Sequence, residues 1–297
     1  GHPVLENVYQ NWLTQTEYHP VLQGNEINEY YKAIRPQMAF PEYSLDVVQY
    51  GYFFYFKEGG VYAWTDNEMK ENELQIYKRF TSVLSLTYKR YDDLQKAEAQ
   101  ARESQIEAGL ERVRSRTLAM QNSEELAETA VVVFQQLIGL GIAPNRLYFG
   151  IITNDSGNIE FWATDEDGTK ISSKFIGNKN SNESVGKMYA GWQQQLKHLT
   201  IDMQGVELDN YLHYLGDELH VPFKKRVAQK RRVQTMAFFS KGFIGIASPD
   251  EQPDETTRLL ERFAAVFNLT FTRFNDLKMA EAHALQAEQD FIAIKEA

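Results

Sequence analysis

Leu126, Ala130, Val133, Phe134, Leu137 and Leu140 recur three and four residues apart, a spacing that predicts a helix with one apolar face. Asn122 or Ser123 can cap it, and Glu125 lies where a capping box from Asn122 needs it. Gly141 and Pro144 mark its stop. Leu147–Ile152 and Ile159–Ala163 read as strands around the turn Asn154–Asn158, and Lys170–Ile176 as a third strand after the turn at Asp165–Gly168. Helical stretches follow around Val185–His198 and Asp209–Leu215. Gln234–Phe239 and Phe243–Ala247 form a hairpin across Ser240–Gly242. Pro253 opens a last helix from Asp254, where its missing N–H costs nothing. Helix, antiparallel strands, a helical middle, a hairpin and a long closing helix predict an α+β fold with helices on one side of an antiparallel sheet.

The pattern occurs partly twice. A displacement of 183 residues places Tyr77–Ala99 on Leu260–Ala282 with about half the positions identical, among them Arg79/Arg262, Phe80/Phe263, Val83/Val266, Thr87/Thr270 and Leu94/Leu277. The same displacement puts Phe56 on Phe239 and Gly59 on Gly242. Upstream it slips to 181 and then 180, where Gln23-Gly24 meets Gln204-Gly205, Tyr9 meets Tyr189 and Trp12 meets Trp192. Residues 2–94 thus read as a repeat of 182–277, with Tyr50–Phe56 and Val61–Trp64 as the earlier hairpin. Residues 121–181 have no earlier counterpart. The expected organisation is the back half of a first unit at 1–82, a linker helix at 71–120, a complete second unit at 121–276 and a C-terminal exit helix at 277–297.

The linker helix is expected from composition. From Glu71 to Met120 there is no proline and one glycine, Gly109, among good helix formers. Phe80, Leu84, Tyr88, Tyr91, Leu94, Ala97, Ala101, Ile106, Leu110, Val113 and Thr117 form an imperfect stripe at 3–4 spacing, which predicts pairing with a second copy. The exit helix repeats the pattern at Leu277, Ala280, Ala284, Ala287, Phe291 and Ile294.

Composition narrows the chemistry. The 297 residues carry a net charge of −10 and a pI near 5.2, which argues against a general grip on nucleic acid or acidic lipid. With no cysteine there is no disulfide, zinc–thiolate site, iron–sulfur cluster or thiol catalysis. No apolar run approaches the ~18 residues of a membrane span and no signal peptide is read, so a cytoplasmic location is expected. The start Gly1-His2-Pro3 fits a piece cut from a longer protein.

The helix Ser123–Leu140, the strand pair 147–163, the hairpin Phe238-Phe239 through Gly242 to Gly245 and the helix Asp254–Asp276 together resemble the GAF-like sensor units of bacterial signalling proteins. The linker Gln105–Leu118 is similar to the helical connectors of multi-unit sensors. PAS-like domains share the antiparallel sheet and helical linker and compete as a resemblance. The resemblance implies a repeated GAF-like antiparallel sheet with flanking helices, a homodimer through the linker helices, and an output domain such as a histidine kinase or cyclase elsewhere in the parent protein. It also implies a ligand pocket between sheet and middle helices, with Tyr148, Phe161, Tyr189 and Trp192 as candidates; recurrence of the Tyr–Trp pair in both copies favours core packing instead. Covalent bilin needs a cysteine that is absent, and no other cofactor is predicted. Cyclic-nucleotide binders carry Asn-Lys, Phe and Asp-Glu at short spacing; Asn178-Lys179, Phe243 and Asp250-Glu251 are too far apart.

The remaining candidates read as ordinary surface. His283 lacks a phosphoacceptor context, and His198, His213 and His220 have no metal-like i, i+4 partner. Asp165-Glu166-Asp167 lacks the other ligands of a calcium loop. Lys224-Lys225-Arg226 and Lys230-Arg231-Arg232 form a basic cluster over 224–232, which supports an alternative reading as a binding module for an acidic protein or nucleic acid. No catalytic constellation is found, so the expected function is a non-catalytic sensory and dimerisation module of a signal-transduction protein.

Overall fold

The computed structural model describes residues 2–34, 43–122, 125–142, 146–152, 156–164, 171–221 and 230–296, without the side chains at 172, 173, 292–294 and 296. Ser123, the turn at Asp165–Gly168 and the cluster Lys224–Arg226 lie outside the described residues. The chain is α+β and divides into two compact units, Gly1–Ala101 and Arg102–Ala297.

The first unit runs α1 (Pro3–Thr14), β1 (Val21–Gln23), α2 (Asn25–Ile34), β2 (Val48–Phe56), β3 (Gly59–Thr65) and the opening of α3 (Glu71–Leu118). Its antiparallel sheet has the order β1-β2-β3. Aromatic residues crowd β2 because they suit a pleated, half-buried surface. Alternate positions serve opposite faces. Phe53 meets Tyr18 and Trp64 on the side of Val4, Ile27, Tyr30 and Tyr31, whereas Phe54 stacks on Tyr77 of α3 at 5.8 Å.

The second unit begins inside α3, at Arg102. It adds α4 (Leu126–Gly139), β4 (Arg146–Ile151), β5 (Asn158–Thr164), β6 (Ile171–Asn178), α5 (Glu183–Gln193), β7 (His198–Gln204), α6 (Gly205–His213), β8 (Arg231–Phe239), β9 (Gly242–Ser248) and α7 (Asp254–Glu296). A π-helical turn, Tyr214–Glu218, extends α6. The antiparallel sheet has the order β6-β5-β4-β9-β8-β7. The hairpin turn demands Gly242: at φ +148°, a Cβ there would lie 1.8 Å from the Gly150 carbonyl oxygen.

Helices cover both faces of this sheet, which corrects the one-sided arrangement expected from element order. On one face Leu147 and Phe149 of β4 and Ile244 and Ile246 of β9 pack with α4, α7 and the later part of α3. Phe149 stacks on Phe267 of α7 at 4.1 Å and lies 4.8 Å from Phe134 of α4. Each such buried side chain contributes about 1.5–3 kcal/mol. On the other face Tyr148, Phe161, Met236 and Phe243 meet α5, α6 and the π turn. A sheet covered twice buries every residue of β9.

The later part of the linker stripe is therefore core. Ile106, Leu110 and Val113 are buried against α4 and α7, and Thr117 exchanges a hydrogen bond with Thr270. They cannot also form a seam with a second copy. Gly109 is buried too, with an unbroken helix on both sides.

His198 begins a strand, not the end of a helix. Gln195 adopts the left-handed conformation at φ 55° and the Leu196 N–H bonds the Gly191 carbonyl at 3.1 Å, which closes α5 in a Schellman pattern. The alternation of exposed His198, Thr200 and Asp202 with inward Leu199, Ile201 and Met203 then pairs β7 with β8. Gln15 does the same for α1 at φ 55°, with Thr16 N–H on the Asn11 carbonyl.

Strand registers also correspond. Gln23 pairs with Val48 and Gln204 with Arg231; Tyr50 pairs with Thr65 and Val233 with Ser248; Phe56 pairs with Gly59 and Phe239 with Gly242. The displacements are 181 for the first strand and 183 for the hairpin. Among the described residues, no helix is long and apolar enough to cross a membrane.

Candidate functional site

The layer between the six-stranded sheet and α5, α6 and the π turn holds the second unit's most unusual chemistry. Along β4 and β8 every second side chain enters it, so Tyr148 on β4 and Arg232, Gln234 and Met236 on β8 share one face. Val185, Met188 and Tyr189 of α5 and Leu208 and Tyr211 of α6 close the layer from above.

Most of the layer is apolar, with Phe161 stacked on Phe175 at 5.1 Å and Phe243 edge-on to Tyr148. Its middle is polar. The Tyr148 hydroxyl donates to Gln234 Oε1, and Tyr211 lies close by on α6. Burial pushes both phenols above their usual range, that of Tyr148 well above it; the nearby Arg232 charge opposes the shift in each. Both phenols are therefore neutral hydrogen-bonding groups at ordinary pH and supply no base.

Two buried polar atoms here find no partner among the described residues: Gln234 Nε2 and the Tyr189 hydroxyl. Leaving such a donor unpaired costs about 1–3 kcal/mol. Lys179 Nζ lies 4.7 Å from the Tyr189 ring centroid.

Three of the four candidates from the sequence come together in this layer. Tyr148, Phe161 and Tyr189 are all buried in it, and Trp192 is half-buried against its rim, 5.5 Å from Tyr189. The Trp192 indole N–H bonds the Ser240 carbonyl at 3.1 Å. A cleft of about 570 Å³ opens beside Trp192, Leu196, Phe238 and Ser240. A second, of about 330 Å³, lies between Asn182, Glu207 and His213. Tyr148, Phe161 and Tyr189 line neither.

Gln234 and Tyr211 are not among the residues that the sequence pattern singles out, and Arg232 stands out only as part of the basic cluster. The available signal was parity: Gln234 stands two residues before Met236 in a predicted strand, so a polar side chain had to enter the buried face.

The surface candidates are engaged locally. Arg231 grips Asp202 with two bonds of 3.0 and 2.8 Å, and Arg232 is buried. Of the basic cluster's described residues only Lys230 is exposed. Asn178 bonds Asn158 at 2.7 Å and caps the turn through Asn180 at 2.9 Å. His198 contacts Glu261, and His213 contacts Asp217 one helical turn on. Among the described residues no group of three His, Asp or Glu side chains could hold a metal ion.

No family model matches the chain, and no curated protein matches it.

Proposed function

We propose that this chain is a non-catalytic sensory and dimerisation module of a cytoplasmic signal-transduction protein. It has repeated GAF-like units and a homodimer interface on its long helices. It passes a signal to an output domain such as a histidine kinase or cyclase in the parent protein. The observation that carries this reading is the end of α7. Every residue from Lys278 to Asp290 is exposed, yet Leu277, Ala280, Ala284, Ala287 and Phe291 keep strict 3–4 spacing. A lone helix with that exposure is marginal in water, and a heptad seam is relieved by pairing with its own copy. The same seam recurs on α3 at Leu94, Ala97, Ala101, Ser104 and Ala108, all exposed.

The correspondence of strand registers and helix ends supports a duplicated unit whose back half forms residues 2–94. The input is a small ligand held in the Tyr148–Gln234–Tyr211 layer. The unpaired Gln234 Nε2 calls for a hydrogen-bond acceptor, and the surrounding aromatics suit a planar body.

Static light scattering tests the dimer. The expected mass is about twice 34.3 kDa at micromolar concentration. A clean monomer at ~100 μM overturns it. Polyanion binding through 224–232 is the competing reading; the pairing of Arg231 and the burial of Arg232 speak against it.

A further inference from the structure

The two units treat equivalent residues in opposite ways. In the second unit Phe263, Val266 and Phe267 are 0%, 4% and 1% exposed; their equivalents Phe80, Val83 and Leu84 on α3 are 62%, 60% and 45% exposed. Ile76 and Tyr88 are likewise exposed where Leu259 and Phe271 are buried. This is not a general loosening of the first unit. Thr81 is buried as Ala264 is, and the Phe56–Tyr88 ring pair at 6.4 Å matches the Phe239–Phe271 pair at 6.1 Å.

The difference lies in what covers them. In the second unit β9 is hydrogen-bonded to β4, and Phe149 of β4, itself beside Phe134 of α4, lies over Phe267. In the first unit β3, the equivalent of β9, is the edge of its sheet. Natural edges are blunted with charge or proline. β3 reads Gly-Gly-Val-Tyr-Ala-Trp-Thr and carries neither.

We infer that the β3 edge and the Ile76–Tyr88 face of α3 form an acceptor surface for one further helix–strand segment of the Leu126–Ile151 type. It would add an antiparallel strand to β3 and lay an apolar helix face over Phe80 and Leu84. Leu126–Ile151 itself is already packed in the second unit. In the second unit the equivalent segment lies ahead of α5 in the chain. His2 caps α1 by accepting the Val4 N–H, just as Asn182 caps α5 by accepting the Ser184 N–H. This inference rests on the proposed duplication and is independent of the dimer.

The test fuses a second copy of residues 102–182 ahead of Pro3 in the full chain, in the order that leads into Glu183, and follows amide hydrogen exchange. Residues 59–65 and 76–88 are expected to exchange about tenfold more slowly than in the parent chain, and Phe80→Asp in the fusion is expected to remove that protection. Exchange unchanged by the fusion overturns the inference. Protection already present in the parent and lost on dilution assigns the face to a second copy; that also overturns it while leaving the dimer standing. Protection in the fusion of a chain that scatters light as a monomer supports the acceptor surface and removes the dimer.

Discussion

Trp12 and Trp192 make the same contact in their separate units. Each sits three residues before a left-handed glutamine that ends its helix, and each donates its indole N–H to a backbone carbonyl at a hairpin, Phe56 at 3.2 Å and Ser240 at 3.1 Å. Each bond ties a helix end to a hairpin. Trp192→Phe is expected to destabilise the second unit by about 1 kcal/mol, and Trp12→Phe the first by a similar amount. Urea unfolding followed by circular dichroism measures both. No change in either variant would mean that these bonds add nothing over water.

Phe291 is 64% exposed near the end of α7. If the seam from Leu277 pairs two copies, Phe291→Glu places like charges against each other in a former apolar layer. The dissociation constant is expected to rise by about tenfold or more, read by analytical ultracentrifugation. An unchanged constant would move the interface elsewhere.

Two glycines should respond oppositely to alanine. At Gly109 a new Cβ would meet Phe263 at 3.5 Å and Gln136 at 3.7 Å, which is ordinary contact. Gly109→Ala is then expected to stabilise the second unit by up to about 1 kcal/mol through helix propensity. At Gly245 the Cβ would lie 2.4 Å from the Tyr148 ring, and Gly245→Ala is expected to cost about 1–3 kcal/mol. Thermal unfolding of both variants checks the signs. A destabilised Gly109→Ala would show that the helix needs flexibility there.

The polar centre of the layer can be dissected by a double-mutant cycle. Tyr148→Phe removes the donor to Gln234 Oε1 inside the core and is expected to cost about 1–3 kcal/mol. Gln234→Leu combined with it should recover part of that loss, because no carboxamide remains to be satisfied. Additive losses would refute a coupled pair.

The pH dependence has a defined sign at each end. Burial raises the folded-state values of Tyr148 and Tyr211, and that of Tyr55 to about 12. Their contribution is complete below the unfolded value of about 10 and is lost as pH rises through the folded values. Arg262 beside Glu103 and Arg231 beside Asp202 hold those carboxyls below their usual range. Their contribution is present above about pH 4 and is lost as pH falls through the depressed values. Melting temperature against pH should therefore show a plateau that declines at both ends; a decline starting near pH 8 would need another titrating group.

The residue pattern by itself determined the local elements. Helical spacing from Leu126, the β-type runs at 147–152 and 159–163, the Ser240–Gly242 hairpin and proline-free stretches at 71–120 and after 253 all correspond to elements of the fold. These rest on short-range physics, namely propensity, turn chemistry and periodicity within one segment. Even β7 was legible in its alternation, once Gln195 is seen to end α5. Tertiary structure decided which apolar stripe faces what. The stripe on α3 looks uniform in sequence, yet Ile106, Leu110 and Val113 are core, packed with α4 and α7, whereas Phe80, Leu84, Tyr88, Tyr91 and Leu94 are exposed. It also decided the candidate site. Tyr148 and Gln234 stand 86 residues apart, and Tyr211 comes from a third element. Only the pairing of β4 with β9 and of β9 with β8 brings their side chains onto one buried face, a consequence of strand order that no local pattern encodes.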